Sequence, residues 1–234
     1  MSECHSTNDI AAELSKANQI TEGTLVITDT QTRGRGQRGN AWQSSKGENL
    51  TFSIVLNPKF LAAKDHFQLH YVVSVAVCNT LLKYFRNVQI KWPNDILVSR
   101  KKICGILIEN SIRGQVIENA IIGIGLNVNQ AGFNYDNATS FRDLTSREYD
   151  KQEILGNLLE EIEAAYLKLK SGNIGYLRRY YLKHLFQKDE SALYETSGDQ
   201  FVGTIEGVDD HGRLVMSTTQ GHRHFEFKEV KFLY

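Results

Sequence analysis

Three arginines are interleaved with glycines in Arg33-Gly34-Arg35-Gly36-Gln37-Arg38-Gly39. Glycines let a backbone close on a ligand, and guanidinium forks match the phosphates or carboxylates that such a loop would surround. An anion-binding loop and a merely solvated loop both fit these residues. The spacing Gly34-x-Gly36-x-x-Gly39 has the form of a dinucleotide-binding fingerprint and follows a strand-like run, but residues 40–47 lack the apolar stripe of the helix that fingerprint requires. Asn40-Ala41 stands where a phosphate-binding P-loop needs Lys-Ser/Thr. One short copy without interleaved aromatics, in a chain of zero net charge, speaks against an RNA-binding Arg-Gly tract.

Three further segments could do chemistry beside that loop. In Lys91-Trp92-Pro93-Asn94-Asp95, Pro93 holds Trp92 extended and starts a turn that presents Asn94 and Asp95, with Lys91 a cation beside the indole. Taken alone, a polar turn under a half-buried tryptophan is the plainer reading. In residues 101–109, alternation from Ile103 puts one face in the core, and Lys102 at the mouth of such a strand would stabilise developing negative charge. Two lysines in a hairpin turn are ordinarily just solvated. In residues 123–129, Gly123 and Gly125 admit either a ligand or a neighbouring backbone, and Asn127 ends the strand with an amide. Other candidates are weaker. His66 and His70 share a helix face without a third metal ligand in view. His222 and His224 read as strand residues, Cys104 reads as a buried thiol, and no Gly-x-Ser-x-Gly elbow supports serine hydrolysis.

Hydrophobic periodicity supplies the scaffold for these segments. Ile10, Ala11, Leu14 and Ala17 predict a helix over 8–18, with Ser6, Thr7 and Asn8 as candidate caps. Strands over 24–28 and 50–56 bracket about twenty residues without any period, and loops of that length are usually functional or disordered. A long helix follows over 65–85, with Phe67, Val72, Ala76, Leu81 and Phe85 among its buried residues. Strands are predicted over 88–91, 96–99 and 103–110, and a near-continuous apolar run over 116–128 reads as a central strand covered on both faces. Helices over 153–169 and 174–185 come next. After Lys188 the texture changes to short alternating runs with turn signals at Ser197-Gly198, 209–212 and Gln220-Gly221. An α/β or α+β core over 1–187 and a small all-β domain over 188–234 are therefore expected.

A chain of 234 residues has room for one or two domains. Its 27 basic and 27 acidic residues cancel, which disfavours a disordered tail or a nucleic-acid coat. Three widely spaced cysteines fit free thiols better than a disulfide framework. The first residues show no secretory pattern, and the apolar stretch 67–85 is broken by Gln68, His70, Asn79 and Lys83, so neither export nor a membrane span is expected and the reading is a cytoplasmic protein.

Taken in order, Ser6-Thr7-Asn8, residues 31–42, 91–95, 102–109 and 123–127 resemble the biotin protein ligases. The resemblance runs from residue 6 to about 185, with a looser match of the tail to that family's small C-terminal β-barrel. It implies a mixed sheet flanked by helices, similar to class II aminoacyl-tRNA synthetase cores. It also implies a two-step reaction. Biotin and ATP, with Mg²⁺, give biotinyl-5′-AMP and pyrophosphate, and the acyl group then passes to a lysine of a biotin carboxyl carrier protein.

By the same resemblance Ser6, Thr7, Asn8, Gln31, Gly34 and the stretch Arg35-Gly36-Gln37 hold biotin, while Gly105 and Gly123 let it lie against the strands. Lys102 bridges the biotin carboxyl and the phosphate, and Arg38, Trp42, Lys91, Asn94 and Asn127 border the nucleotide. Catalysis falls to Lys102, Arg35 and Arg38, which neutralise two approaching anions, and to Asp95, which orients the acceptor lysine. No metal ligand is assigned. Gln37 and Asn40 stand where many members carry arginine, which implies either weaker retention of the adenylate or a greater reliance on Arg35 and Arg38. Repressor-type members carry a winged-helix domain that the five residues before Ser6 cannot encode, so specific DNA binding is not expected. The run 116–128 could pair across two copies as an edge strand, giving a homodimer, or lie inside the sheet, so the oligomeric state stays open. Two alternatives stay open: a lipoate or octanoate ligase, and a non-catalytic biotin-binding protein.

Overall fold

The structure is a computed structural model that describes residues 1–133 and 137–234, with Arg38 described by its backbone alone. Among these residues six strands form one sheet in the order β1-β2-β6-β5-β4-β3. They are β1 (Leu25–Thr28), β2 (Leu50–Leu56), β3 (Val88–Lys91), β4 (Asp95–Val98), β5 (Lys101–Arg113) and β6 (Val116–Leu126). The expected mixed sheet is antiparallel in every one of these pairings. Short turns and hairpins join most neighbours, which favours antiparallel pairing over parallel crossovers.

Period-two alternation sorts the sheet's two faces. On β2, Leu50, Phe52, Ile54 and Leu56 join the core cluster that also takes in the helix α2 (Gln68–Leu82), whereas Val55 packs with Ala11 of α1 (Thr7–Lys16), Val26 and Ile121. Every residue of β2 is therefore buried. The Ser6 side chain caps α1 by accepting from the Asp9 amide at 3.5 Å, as its residue type suggests. α2 is buried nearly all round, because it lies between the sheet and the later helices α4 (Lys151–Lys170) and α5 (Ile174–Lys183). The short α3 (Phe141–Thr145), capped by Ser140, has too few residues to show a period and was not predicted from the sequence.

Beyond α5 a second antiparallel sheet has the order β10-β9-β8-β7-β11. It comprises β7 (Ser191–Thr196), β8 (Asp199–Val208), β9 (Leu214–Thr218), β10 (Gly221–Phe225) and β11 (Lys231–Phe232). Among the described residues β10 and β11 each pair with one neighbour, so the expected barrel is an open sheet. A single apolar core runs from the first sheet through α2 into Tyr194, Ile205, Leu214 and Phe225 of the second. The two also meet through hydrogen bonds. The Trp92 indole, in the turn between β3 and β4, donates to the carbonyl of Gly212, in the turn between β8 and β9, at 2.9 Å, and Phe186, in the segment leading to the second sheet, donates to the Ile90 carbonyl at 2.9 Å.

Candidate active site

The face of the sheet turned away from α2 carries a floor of small residues. Register places Thr51, Gly125, Gly105 and Asp95 in one row across four strands, and Ser53, Gly123 and Leu107 in the next. On β6 the alternate residues Ile122, Ile124 and Leu126 go to the core, which leaves Gly123 and Gly125 facing outward. These two glycines are required by close approach. A Cβ on Gly123 would lie 2.4 Å from Asn8 Oδ1, and one on Gly125 would lie 2.2 Å from the Trp42 indole. The resulting cavity has a volume of about 110 Å³.

One end of the cavity is a buried hydrogen-bonded cluster. The Thr7 amide donates to Gln31 Oε1 at 2.7 Å. The Ser53 hydroxyl lies 2.7 Å from Thr7 Oγ1 and 2.6 Å from Asn8 Oδ1. Asn8 Nδ2 donates to Glu109 Oε2 at 2.7 Å. Thr7 and Asn8 are held by the first turn of α1, so their side chains enter the cavity from a rigid element.

The other end holds Lys102. The turn before it is Ser99-Arg100, both with positive φ, and Lys102 lies within β5 itself. A register shift lies between Ile96 and Leu97: Ile96 pairs with Cys104 and Leu97 with Lys102, leaving Ile103 as the extra residue. That bulge puts Lys102 on the same face as Gly105, whereas strict alternation would send it toward the core with Cys104 and Ile106. A Cβ on Gly105 would be 3.3 Å from Lys102 Nζ. Lys102 Nζ lies 2.6 Å from Asp95 Oδ1 and 5.8 Å from the centroid of the Trp42 ring. Its backbone is clamped by the segment after β6, accepting from Thr139 at 2.9 Å and donating to Asn137 at 2.7 Å. Asn94 Nδ2 donates to the Ile106 carbonyl at 2.8 Å, and Trp92-Pro93 is a cis peptide. Burial pushes the Cys104 thiol well above its ordinary value, with Lys102 acting in the other direction, so the thiol is not a nucleophile here.

The Arg-Gly loop is ordered as a hairpin over the floor. Gly36 donates to the Asn40 carbonyl at 2.7 Å, Trp42 donates to the Gly34 carbonyl at 3.0 Å, and a 3-10 turn spans Gln37–Gly39. Arg35 Nη2 lies 2.6 Å from Asp9 Oδ1 and 2.7 Å from Glu109 Oε2. The Trp42 Nε1 group is buried without a hydrogen-bond partner among the described residues.

Thirteen of the seventeen residues given a site role by the resemblance line a single cavity: Ser6, Thr7, Asn8 and Gln31, then Arg35, Gly36, Gln37 and Trp42, and finally Asn94, Asp95, Lys102, Gly105 and Gly123. Gly34 stands behind them, where a Cβ would meet the Trp42 carbonyl at 2.4 Å. The Arg38 side chain lies outside the described residues. Lys91 is carried away from the cavity, its Nζ 5.1 and 4.9 Å from the Phe232 and Tyr234 ring centroids. Asn127 also stays outside the lining, and its Nδ2 donates to the Thr139 carbonyl at 3.0 Å. The sequence reading missed Thr51 and Ser53 as polar interruptions on the outward face of β2, and Glu109 as a partner of Asn8. His222 and His224 lie in β10, paired with Glu206 and Asp209. No group of three metal-binding side chains occurs among the described residues.

A family model described as the biotin/lipoate A/B protein ligase family matches residues 2–127, more than half of the chain. A bifunctional ligase/repressor BirA of Bacillus spizizenii is 32% identical over 223 residues, covering 92% of this chain and 68% of the relative. A biotin--[acetyl-CoA-carboxylase] ligase of Paracoccus denitrificans is 30% identical over 238 residues and 97% of both chains. Among solved structures, a biotin protein ligase from Aquifex aeolicus in complex with biotin and ATP superposes with a TM-score of 0.83, at 27% identity, over 100% of this chain and 97% of that one. The cavity's contributors Ser6 to Gly125 all fall inside the span matched by the family model, and the chain is a ligase that belongs to the biotin/lipoate A/B protein ligase family, among its biotin protein ligases.

Proposed function

We propose that the protein activates biotin with ATP to biotinyl-5′-AMP and transfers the biotinyl group to a lysine of a biotin carboxyl carrier protein, in the cytoplasm. The observation that carries this reading is the cavity's polarity. One end is a buried cluster of hydroxyls and amides suited to a ring that both donates and accepts, the middle is a flat glycine floor, and Lys102 stands at the other end. A ureido head, an aliphatic chain and a carboxylate follow that order. A fatty acyl chain would leave the buried amide and hydroxyls unpaired, which costs more than an apolar wall would.

In this reading Ser6, Thr7, Asn8 and Gln31 meet the biotin head, and the backbone of Arg35, Gly36 and Gln37 closes over it. Lys102 neutralises the biotin carboxylate as it attacks the α-phosphate, and that interaction strengthens as charge builds. Trp42, Asn94 and Arg38 border the nucleotide. Asp95 holds Lys102 in place and is the carboxylate available to the acceptor lysine in the second step. Asp95 Oδ1 is already against Lys102, and the rest of the lining is the Arg35 guanidinium, amides, hydroxyls and hydrocarbon, so the described residues build no cage for Mg²⁺. Magnesium enters the proposal as the companion of the nucleotide's phosphates. Residues 1–187 carry the chemistry and 188–234 close the far side of the Trp92 turn.

The test is ATP–pyrophosphate exchange with biotin, lipoate or octanoate as the carboxylate, followed by transfer to a carrier domain. Exchange with biotin alone and labelling of one carrier lysine are expected. Exchange with lipoate or octanoate would move the assignment to a sister enzyme, and tight biotin binding without exchange would leave a binding protein.

A further inference from the structure

Glu109 Oε2 accepts two hydrogen bonds at once, from Asn8 Nδ2 and from Arg35 Nη2, each at 2.7 Å. Asn8 belongs to the polar end of the cavity and Arg35 to the hairpin that covers it. The same arginine nitrogen lies 2.6 Å from Asp9 Oδ1 on α1. Two carboxylates therefore hold the Arg35 guanidinium, while Arg35, Gly36 and Gln37 all take part in lining the cavity. A guanidinium already facing two anions is not the cation a phosphate in the cavity would meet first. The Asn8 amide is equally constrained. Its Oδ1 is 2.6 Å from the Ser53 hydroxyl and lies directly over Gly123, so its Nδ2 faces Glu109.

We propose that Glu109, with Asp9, is a positioning residue that latches the Arg-Gly hairpin through Arg35 and ties that latch to the orientation of the Asn8 amide. A ligand head that engages Asn8 then shifts the group Asn8 shares with Arg35, so head recognition and hairpin closure become one event. This rests on the reading of the cavity as the biotin site. The partners are between about a third and just over two-fifths exposed, which makes each ion pair modest in strength. That is the scale suited to a cover that must open and close in every cycle rather than to a permanent brace.

Glu109→Gln keeps the size of the side chain and an acceptor for Asn8 but removes the charge that pairs with Arg35. In the full-length, ligand-free protein, trypsin cleavage within residues 33–38, followed by mass spectrometry, is expected to run about fivefold faster than in the parent. Asp9→Asn, which removes the other carboxylate without touching the sheet, is expected to do the same and serves if the first variant folds poorly. Equal cleavage rates in both would overturn the latch. In the exchange assay the loss in Glu109→Gln is expected to fall on KM for biotin, about tenfold, rather than on kcat. A change confined to kcat would overturn the coupling to Asn8. Arg35→Gln combined with Glu109→Gln is expected to be no worse than the worse single variant, and additive losses would overturn the pairing. Failure of the parent to use biotin would remove the biotin reading and leave the ligand-free cleavage difference standing, so the two failures are distinguishable.

Discussion

Lys102 Nζ lies 2.6 Å from Asp95 Oδ1, although the two side chains reach this contact only because a bulge in β5 re-aims the lysine. The pair stands at the end of the cavity where the reading places the biotin carboxylate. Lys102→Ala is expected to slow biotinyl-adenylate formation on the order of 10²-fold or more, by analogy with removing a preorganised charge stabiliser. Asp95→Asn is expected to slow transfer to the carrier on the order of 10²-fold, the usual scale for a group that handles the proton of a nucleophile. Single-turnover measurement of each half-reaction separates the two. Near-normal adenylate formation in Lys102→Ala would remove the lysine from the chemistry.

The glycine floor gives a second expectation. Gly123→Ala puts a methyl group against Asn8 Oδ1, which is fixed by Ser53 and by its place in α1, so the amide must turn away from Glu109. Biotin affinity is expected to fall about tenfold or more, with a stability loss of about 1–3 kcal/mol from overpacking. Calorimetric titration and urea unfolding read these separately. Unchanged affinity would show that the amide does not face the ligand.

Trp92 tests how the second sheet is joined to the first. Its Nε1 donates to the Gly212 carbonyl in a buried contact, and its ring meets Phe227 edge-on at 5.2 Å. Trp92→Phe keeps most of the ring and orphans that carbonyl, at an expected cost of about 1–3 kcal/mol in urea unfolding. Deleting residues 188–234 would be a poorer test of the tail's part in transfer, because it would uncover Phe67 and Trp92, which pack against Gly212 and Phe227. A Trp92→Phe variant of parental stability would show that the Gly212 carbonyl is satisfied another way.

Stability is expected to fall on the acid side for a specific reason. His70 is fully buried, stacked on Phe67 at 4.9 Å, and burial, aided by His66, lowers its value to about 3. The folded protein thus keeps His70 neutral while the unfolded chain protonates it near 6.5. The unfolded state binds more protons between those values, so stability is full above about 6.5, declines as pH falls, and levels off below about 3, by on the order of 5 kcal/mol. Asp209 continues the trend. Burial opposes its ionisation, but hydrogen bonds from the Arg213 amide, His224 and the Arg213 guanidinium outweigh that and bring it down to about 2. Its contribution is present above its ordinary value near 3.8 and is lost as pH falls through 2. Urea unfolding across this range is expected to flatten between pH 6.5 and 3 in His70→Leu, and an unchanged slope would exclude His70 as the source.

Much of the scaffold was legible because each element's signal is local. Leu50–Leu56 and Val88–Lys91 matched their predicted bounds, and α1, α2, α4 and α5 lie where a 3.6-residue stripe or a long apolar run indicated. The order of the polar and glycine-rich segments was enough to bring thirteen candidate residues to one cavity. Gly123 and Gly125 were both legible as openings for a ligand or a backbone, and alternation puts the two on one face of β6.

What the sequence determined by itself is therefore which residues alternate, which are too small to fill a face, and which polar groups stand near the strand ends. Tertiary structure decided the rest. A one-residue bulge reverses the side on which Lys102 emerges, and no period in 101–109 announces it. Arg35 meets Glu109 across 74 residues, and Lys91 is drawn to Phe232 and Tyr234 instead of the cavity. Charge and ring contacts of this kind depend on where distant elements come to rest in the assembled fold, whereas burial patterns are written in neighbours two to four residues apart.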